Sequence, residues 1–302
     1  MWLNKLTRFL TLGIVMQLWW IKCNATILQT EPSLFEGDIV FDQNIKKLIL
    51  SNNVRFRRKR NVVANKVKLW PDGVIPYIID DTVDTPVRKR IRRAFRHISK
   101  RSCISFIPRM EKHKDYITIK SGVGCYSSIG RQGGGQLLSI VRGCEYGAIH
   151  EVMHALGFFH EQSRPDRDFY VKINWWNIQG GMERNFNKYS NGVTDTLNKP
   201  YDLKSIMHYG NKAFSKNGRD TIVSRKHPGY KLGVSKERLS TADAYQLNQL
   251  YKCSSRTRRT RMSSRFCKNI IPGCYYYSVE SDSCEFNYDF MKHYCRRSCG
   301  FC

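Results

Sequence analysis

Apolar and polar positions fall into a few readable rhythms along the chain. Residues 74–79 (VIPYII) alternate as a strand. Across 86–101, Ile91, Phe95 and Ile98 recur at helical spacing behind Pro86, a residue suited to the first turn of a helix. YITIKSG (116–122) is of β-branched type and predicts a strand, and the glycine loop of GRQGGGQLLSIV (130–141) feeds another. Residues 147–156 predict a helix stopped by Gly157. Regular structure is then sparse until TADAYQLNQLYKC (241–253), a helix that carries Cys253. SSRTRRTRMSSR (254–265) has no apolar rhythm and reads as an exposed linker. Helices and strands mixed in this way predict an α+β fold.

The N-terminus has a different rhythm. Lys5 and Arg8 precede an apolar stretch from Phe9 to Ile21 and small residues ending at Ala25, the layout of a secretory signal peptide over 1–25. No later apolar run is long enough to span a bilayer, so a transmembrane segment is not expected. Export to the extracellular space places the chain where disulfides persist. Of its 11 cysteines, Cys23 leaves with the signal. Cys103, Cys125, Cys144 and Cys253 are spread widely, whereas Cys267, Cys274, Cys284, Cys295, Cys299 and Cys302 crowd the C-terminal end, which predicts one large domain and one small stapled domain. A zinc reading of Cys299-x-x-Cys302 lacks a second nearby pair.

Arg57-Arg58-Lys59-Arg60 is a multibasic run between the signal and a dense hydrophobic segment. It can be a solvated linker; its position favours a cut after Arg60 by a secretory convertase. The predicted organisation is therefore a pro-segment (26–60), a large domain (61–253), a basic linker (254–266) and a cysteine-rich tail (267–302). The formal net charge is +26. Arg88, Lys89, Arg90, Arg92, Arg93, Arg96, Lys100 and Arg101 carry no acid among them and are expected to spread over the outward surface of one helix. Such a surface would hold sulfated glycans or acidic matrix; a merely solvated face is the plain alternative. Nucleic acid is not expected as a partner of an exported protein.

The chemistry concentrates in GAIHEVMHALGFFHEQSRPDRD (147–168). Titratable groups are costly to bury among Ile149, Val152, Met153, Leu156 and Phe158 unless something pairs with them. His150 and His154, four apart on one helix, share a face and can reach one ion. His160 lies beyond Gly157, where the chain can leave the helix and return a third ligand. Three nitrogens leave one position of a tetrahedral Zn2+ open. Glu151 adjoins the ion without binding it and can act as general base toward a zinc-bound water. A satisfied buried helix is the alternative for HExxH alone; the third histidine after a glycine argues against it.

Residues 150–168 resemble, in full, the astacin-family pattern H-E-x-x-H-x-x-G-F-x-H-E-x-x-R-x-D-R-D, and SIMHY (205–209) is similar to the family's Met-turn. The resemblance implies a two-subdomain metzincin protease with a twisted sheet and a zinc-binding helix, acting on extracellular proteins or peptides. It implies His150, His154 and His160 as ligands of one Zn2+, Glu151 as base, Met207 as the packed floor beneath the metal, and Tyr209 as a movable ligand that stabilises the oxyanion. It pairs Glu161 with the mature α-amino group at Asn61. It further implies disulfides Cys103–Cys253 and Cys125–Cys144, and a substrate-aligning edge strand at GQLLSIV. FEGD (35–38) resembles the family's pro-segment switch, with Asp38 in the open zinc position. The tail resembles an ShK-type domain, which implies Cys267–Cys302, Cys274–Cys295 and Cys284–Cys299 and an arrangement of the nematode or cnidarian kind. A catalytically inactive or channel-binding protein acting through that tail is the alternative. Asp289 and Phe290, standing where channel blockers carry a Lys-Tyr pair, argue against channel binding, and the unaltered Glu151 and histidine ligands argue against an inactive chain.

Overall fold

The computed structural model describes residues 34–40, 62–63, 68–189, 194–197, 199–233 and 237–253, with 269, 270, 272, 274 and 295. The expected signal peptide, the multibasic run, Asn61, the basic linker and the pairs Cys267–Cys302 and Cys284–Cys299 lie outside the described residues.

In chain order the strands are β1 (Leu34–Phe35), β2 (Ile39–Val40), β3 (Val62–Val63), β4 (Val74–Ile79), β5 (Ser105–Pro108), β6 (Tyr116–Lys120), β7 (Tyr126–Ser128), β8 (Gly135–Ser139), β9 (Val171–Ile173), β10 (Thr194–Asp195) and β11 (Ile222–Ser224). The helices are α1 (Thr85–Arg101), α2 (Ala148–Ala155) and α3 (Thr241–Leu250). One sheet runs β1-β2-β7-β8-β6-β4-β5. Its β5, β4, β6 and β8 are parallel neighbours, β7 is antiparallel to β8, and β2 lies parallel on β7 with Ile39 opposite Ser127.

This order corrects one expectation. QLLS is an interior strand, and β7 is the edge that the hairpin β1–β2 covers. The Ser139 hydroxyl donates to the Gly124 carbonyl (2.7 Å), which helps return the chain alongside β8. Tyr-Ser-Ser carries no apolar alternation, so pattern alone gave no strand there.

Helix α1 starts where Asp84 accepts a hydrogen bond from Val87 N (3.0 Å), with Pro86 in the first turn, where a missing N–H costs nothing. Its buried Val87, Ile91, Ala94, Phe95 and Ile98 join the sheet's apolar face in the main core, where Phe95 stacks on Phe106 with centroids 4.0 Å apart. The bases do not all face outward, which corrects a second expectation. Arg88 and Arg92 are buried, and Arg88 donates to the carbonyls of Val83 (2.8 Å) and Asp80 (2.7 Å). A guanidinium on a long stem can turn back and serve loop carbonyls. Arg101 likewise donates to the Leu239 carbonyl (3.0 Å), and Arg90 pairs with Glu237. Of the eight bases, Arg93 and Lys100 alone are exposed rather than buried or half-buried.

A second core gathers Val171, Ile173, Phe186, Tyr201, Tyr209 and Ile222 around β9 and β11. Met207 belongs to the main core and Tyr209 to the second, so the 205–209 turn joins the two. Cys103–Cys253 and Cys125–Cys144 are bonded, closing 150 and 19 residues of sequence; Cys274–Cys295 is bonded in the tail.

Candidate metal centre

Helix α2 ends in a way that builds half the site. Gly157 adopts φ 103°, and its N–H donates to the His154 carbonyl (2.8 Å) while Phe158 N–H donates to that of Met153 (3.0 Å). This is a Schellman ending, which favours glycine for its positive φ. The turn brings the Phe158 carbonyl back to His154, whose Nδ1–H donates to it at 2.7 Å. The residue that stops the helix therefore also orients a ring on it.

The other rings are held in the same manner. His150 Nδ1–H donates to the Ile206 carbonyl (2.8 Å), and His160 Nδ1–H donates to Glu36 Oε2 (2.6 Å). In the neutral imidazole each Nε2 is therefore the nitrogen that carries the lone pair, and it is turned inward. His150 Nε2 lies 3.2 Å from His160 Nε2, and Asp38 Oδ2 lies 3.2 Å from each. His154 Nε2 is 3.7 Å from Asp38 Oδ1, and neither atom has a hydrogen-bond partner although both are buried. Lone pairs facing one another in a buried space call for a cation. Four ligand atoms of these residues lie within 4.8 Å of one another. A tetrahedral zinc with ligands at about 2.0–2.1 Å sets its donors roughly 3.3 Å apart, so the cluster fits that ion.

The turn that carries Ile206 is anchored from α3. Asp243 accepts from the Ser205 hydroxyl (2.6 Å), Ile206 N (3.0 Å) and Ser240 N (2.9 Å). It forms a reciprocal cap with Ser240 at the start of α3. Met207 is buried, and its carbonyl accepts from Glu161 N (3.0 Å).

Glu151 is buried beside the cluster. Burial first, and then the charge of Asp38, push its carboxyl well above the usual range. For Asp38 itself, burial raises the carboxyl, but the His160 charge and hydrogen bonds to the histidines outweigh it and hold it well below the usual range. The Tyr209 hydroxyl donates to the Glu36 backbone carbonyl at 2.5 Å, and its ring lies 4.7 Å from that of His160. Glu161 is buried and accepts from Arg164 Nη1 (2.9 Å) and Asp202 N (2.8 Å); burial, against the pull of Arg164, pushes it up to about 7. Its expected partner Asn61 is not among the described residues.

Residues 62–252 match the peptidase family described as Astacin. The chain belongs to the astacin family. Residues 266–302 of this astacin match the ShK domain-like family. Zinc metalloproteinase nas-4 of Caenorhabditis elegans is 39% identical over 221 residues, covering 72% of this chain and 69% of that protein. Meprin A subunit beta of Homo sapiens is 40% identical over 225 residues, covering 74% of this chain and 30% of that protein. Against two further Caenorhabditis elegans relatives, zinc metalloproteinases nas-15 and nas-14, the match spans 39% and 47% of the relative's length. Among solved structures, high choriolytic enzyme 1, a hatching enzyme zinc-protease from Oryzias latipes, is similar at TM-score 0.60 and 43% identity, covering 64% of this chain and all 100% of that one. In this astacin the cluster of His150, His154 and His160 is the zinc site.

Two residues at the centre escaped the sequence reading. Asp243 carried a usable signal, the capping-box spacing Ser240-x-x-Asp243 at the head of a helix. Glu36 carried a fainter one, an acid separated from Asp38 only by a turn-forming glycine.

Proposed function

We propose that this astacin is a secreted zinc endopeptidase made as a zymogen. In this reading residues 1–25 are a signal peptide, 26–60 a pro-segment removed by cleavage after Arg60, 61–253 the catalytic domain, 254–266 a linker and 267–302 an ShK-type tail. The observation that supports latency is the seat of Asp38, 3.2 Å from two of the three ligand nitrogens. It fills the place an attacking water or a scissile carbonyl would need. Zinc, when bound, supplies a Lewis acid and lowers the pKa of a water it holds to about 7.

The chain's own residues do the rest. With 34–40 gone, Glu151 takes the proton of the attacking water and returns it to the leaving amine. Tyr209, released from the Glu36 carbonyl, turns its hydroxyl to the developing oxyanion. The uncovered edge of β7 offers backbone groups that align an extended peptide. Met207 packs and does no chemistry. After the cut, Glu161 accepts the new α-amino group of Asn61. Exposed Arg93 and Lys100 give sulfated glycans a smaller foothold on α1 than eight outward bases would.

The test is turnover of a peptide substrate by the uncleaved chain, its Asp38→Ala form and the chain cut after Arg60. The cut chain should be active, the uncleaved parent silent, and uncleaved Asp38→Ala partly active. A silent Asp38→Ala proform beside an active cut chain would assign latency to bulk alone.

A further inference from the structure

Of the three ligand rings, two are oriented by backbone carbonyls, those of Ile206 and Phe158, which stay with the catalytic domain. His160 alone is oriented by a carboxylate, and that carboxylate sits in residues 34–40. Glu36 is 1% exposed and His160 0%. The second oxygen of Glu36 accepts from the Ser163 hydroxyl (2.7 Å), so the side chain is fixed at both ends. The backbone is bent to bring it there. Glu36 adopts φ 51° and Gly37 φ 85°, and a Cβ on Gly37 would come 2.8 Å from Phe214 Cζ. A left-handed conformation is unfavourable for a residue with a side chain, so the turn is held in a strained form that sends Glu36 to the Nδ1 side of His160 and Asp38 to the Nε2 side.

The charges balance as well. Three imidazoles are neutral when they ligate, and the two negative charges of Glu36 and Asp38 match the two positive charges of zinc in a buried space where an unpaired charge is costly. A carboxylate that accepts a ligating histidine's N–H fixes the ring and raises its basicity, and losing such a partner typically costs about 10–100-fold in metal affinity.

We infer that Glu36 is a positioning residue for the metal: through His160 it makes the uncleaved chain hold zinc more tightly than the mature enzyme, so the pro-segment retains the metal as well as blocking it. The inference rests on the zymogen reading above and adds a role for its pro-segment. It separates two neighbours, Asp38 as a fourth ligand and Glu36 as the group behind the third.

The test measures zinc affinity by competition with a chromophoric chelator on three metal-stripped, uncleaved full-length chains: parent, Glu36→Gln and Asp38→Asn. Each is measured again after cleavage at Arg60 and removal of the released peptide. Glu36→Gln keeps an acceptor for His160 but not its charge, and should weaken zinc binding by the uncleaved chain about 10–100-fold. Asp38→Asn, which retains Glu36, should still bind zinc more tightly than the mature enzyme. All three cleaved proteins have the same residues from 61 onward, so they should agree in zinc affinity, which certifies that each precursor folded. Parent-like affinity in uncleaved Glu36→Gln, or an uncleaved Asp38→Asn no tighter than the mature enzyme, would overturn the inference. Cleaved chains that bind no zinc would instead overturn the zinc-peptidase reading.

Discussion

Replacing Asp243 with alanine removes the acceptor that ties α3 to the turn beneath the metal centre. Two of the donors it leaves, the Ser205 hydroxyl and Ile206 N–H, belong to residues only 2% and 4% exposed. Each orphaned buried donor costs about 1–3 kcal/mol. The lost reciprocal cap with Ser240 adds about 1 kcal/mol. The sum, about 3–7 kcal/mol, is a large part of the roughly 5–15 kcal/mol that keeps a domain folded. Asp243→Asn is the sharper probe, because it keeps one carbonyl acceptor and loses mainly the charge assistance, about 1–2 kcal/mol. At about 2–4 °C per kcal/mol for a domain of this size, its melting temperature should fall by roughly 2–8 °C. Ile206 carries the carbonyl that orients His150, so the asparagine variant should lose more stability with zinc than without it. Thermal unfolding of zinc-free and zinc-loaded chains measures both. Equal shifts in the two states would mean that Asp243 caps a helix and does not support the metal.

Glu151→Gln should retain one zinc but lose turnover by about 10²–10⁴-fold, measured as metal stoichiometry and peptidase rate on one preparation; an active variant would refute the base assignment. Gly157→Ala forces a side chain into φ 103° and should cost at least about 1–2 kcal/mol in unfolding experiments, with weaker zinc retention because the Phe158 carbonyl shifts from His154. His208, pushed down to about 4 by burial, stays neutral in the fold while the unfolded imidazole takes its proton near 6.5. Stability should therefore drop as pH falls from about 6.5 to about 4, by about 3 kcal/mol from this group, and His208→Gln should flatten that fall in the zinc-free chain.

What could be read from the chain was what lies close together in it. His150, Glu151 and His154 share one helix, and Gly157 and His160 follow within a few residues, so spacing alone aligned the ligands. Pro86 and the spacing of Ile91, Phe95 and Ile98 announced α1 for the same reason. What could not be read depends on distant partners. Asp243 meets Ile206 across 37 residues, and Glu36 meets His160 across 124. The burial of Arg88 and Arg92 depends on where a long side chain turns once the helix has docked, which a charge pattern does not encode. Strand β7 was hidden because its three buried residues are Tyr, Ser and Ser, polar enough to look like loop.

Among the described residues, the contacts that close the site come from residues 34–40, whereas the proposed cut follows Arg60, 22 residues beyond Asp38. Severing the chain there breaks none of them. What it changes is the order of the reaction: a tethered segment faces its groove at an effective concentration set by the tether, and a severed one must hold on by its own affinity. Activation then has two stages, cleavage and departure, and the second depends on dilution. In a concentrated secretion the freed peptide would keep rebinding and the cut enzyme would stay quiet; spread into a larger volume, or with the peptide digested, the same molecules would begin to work.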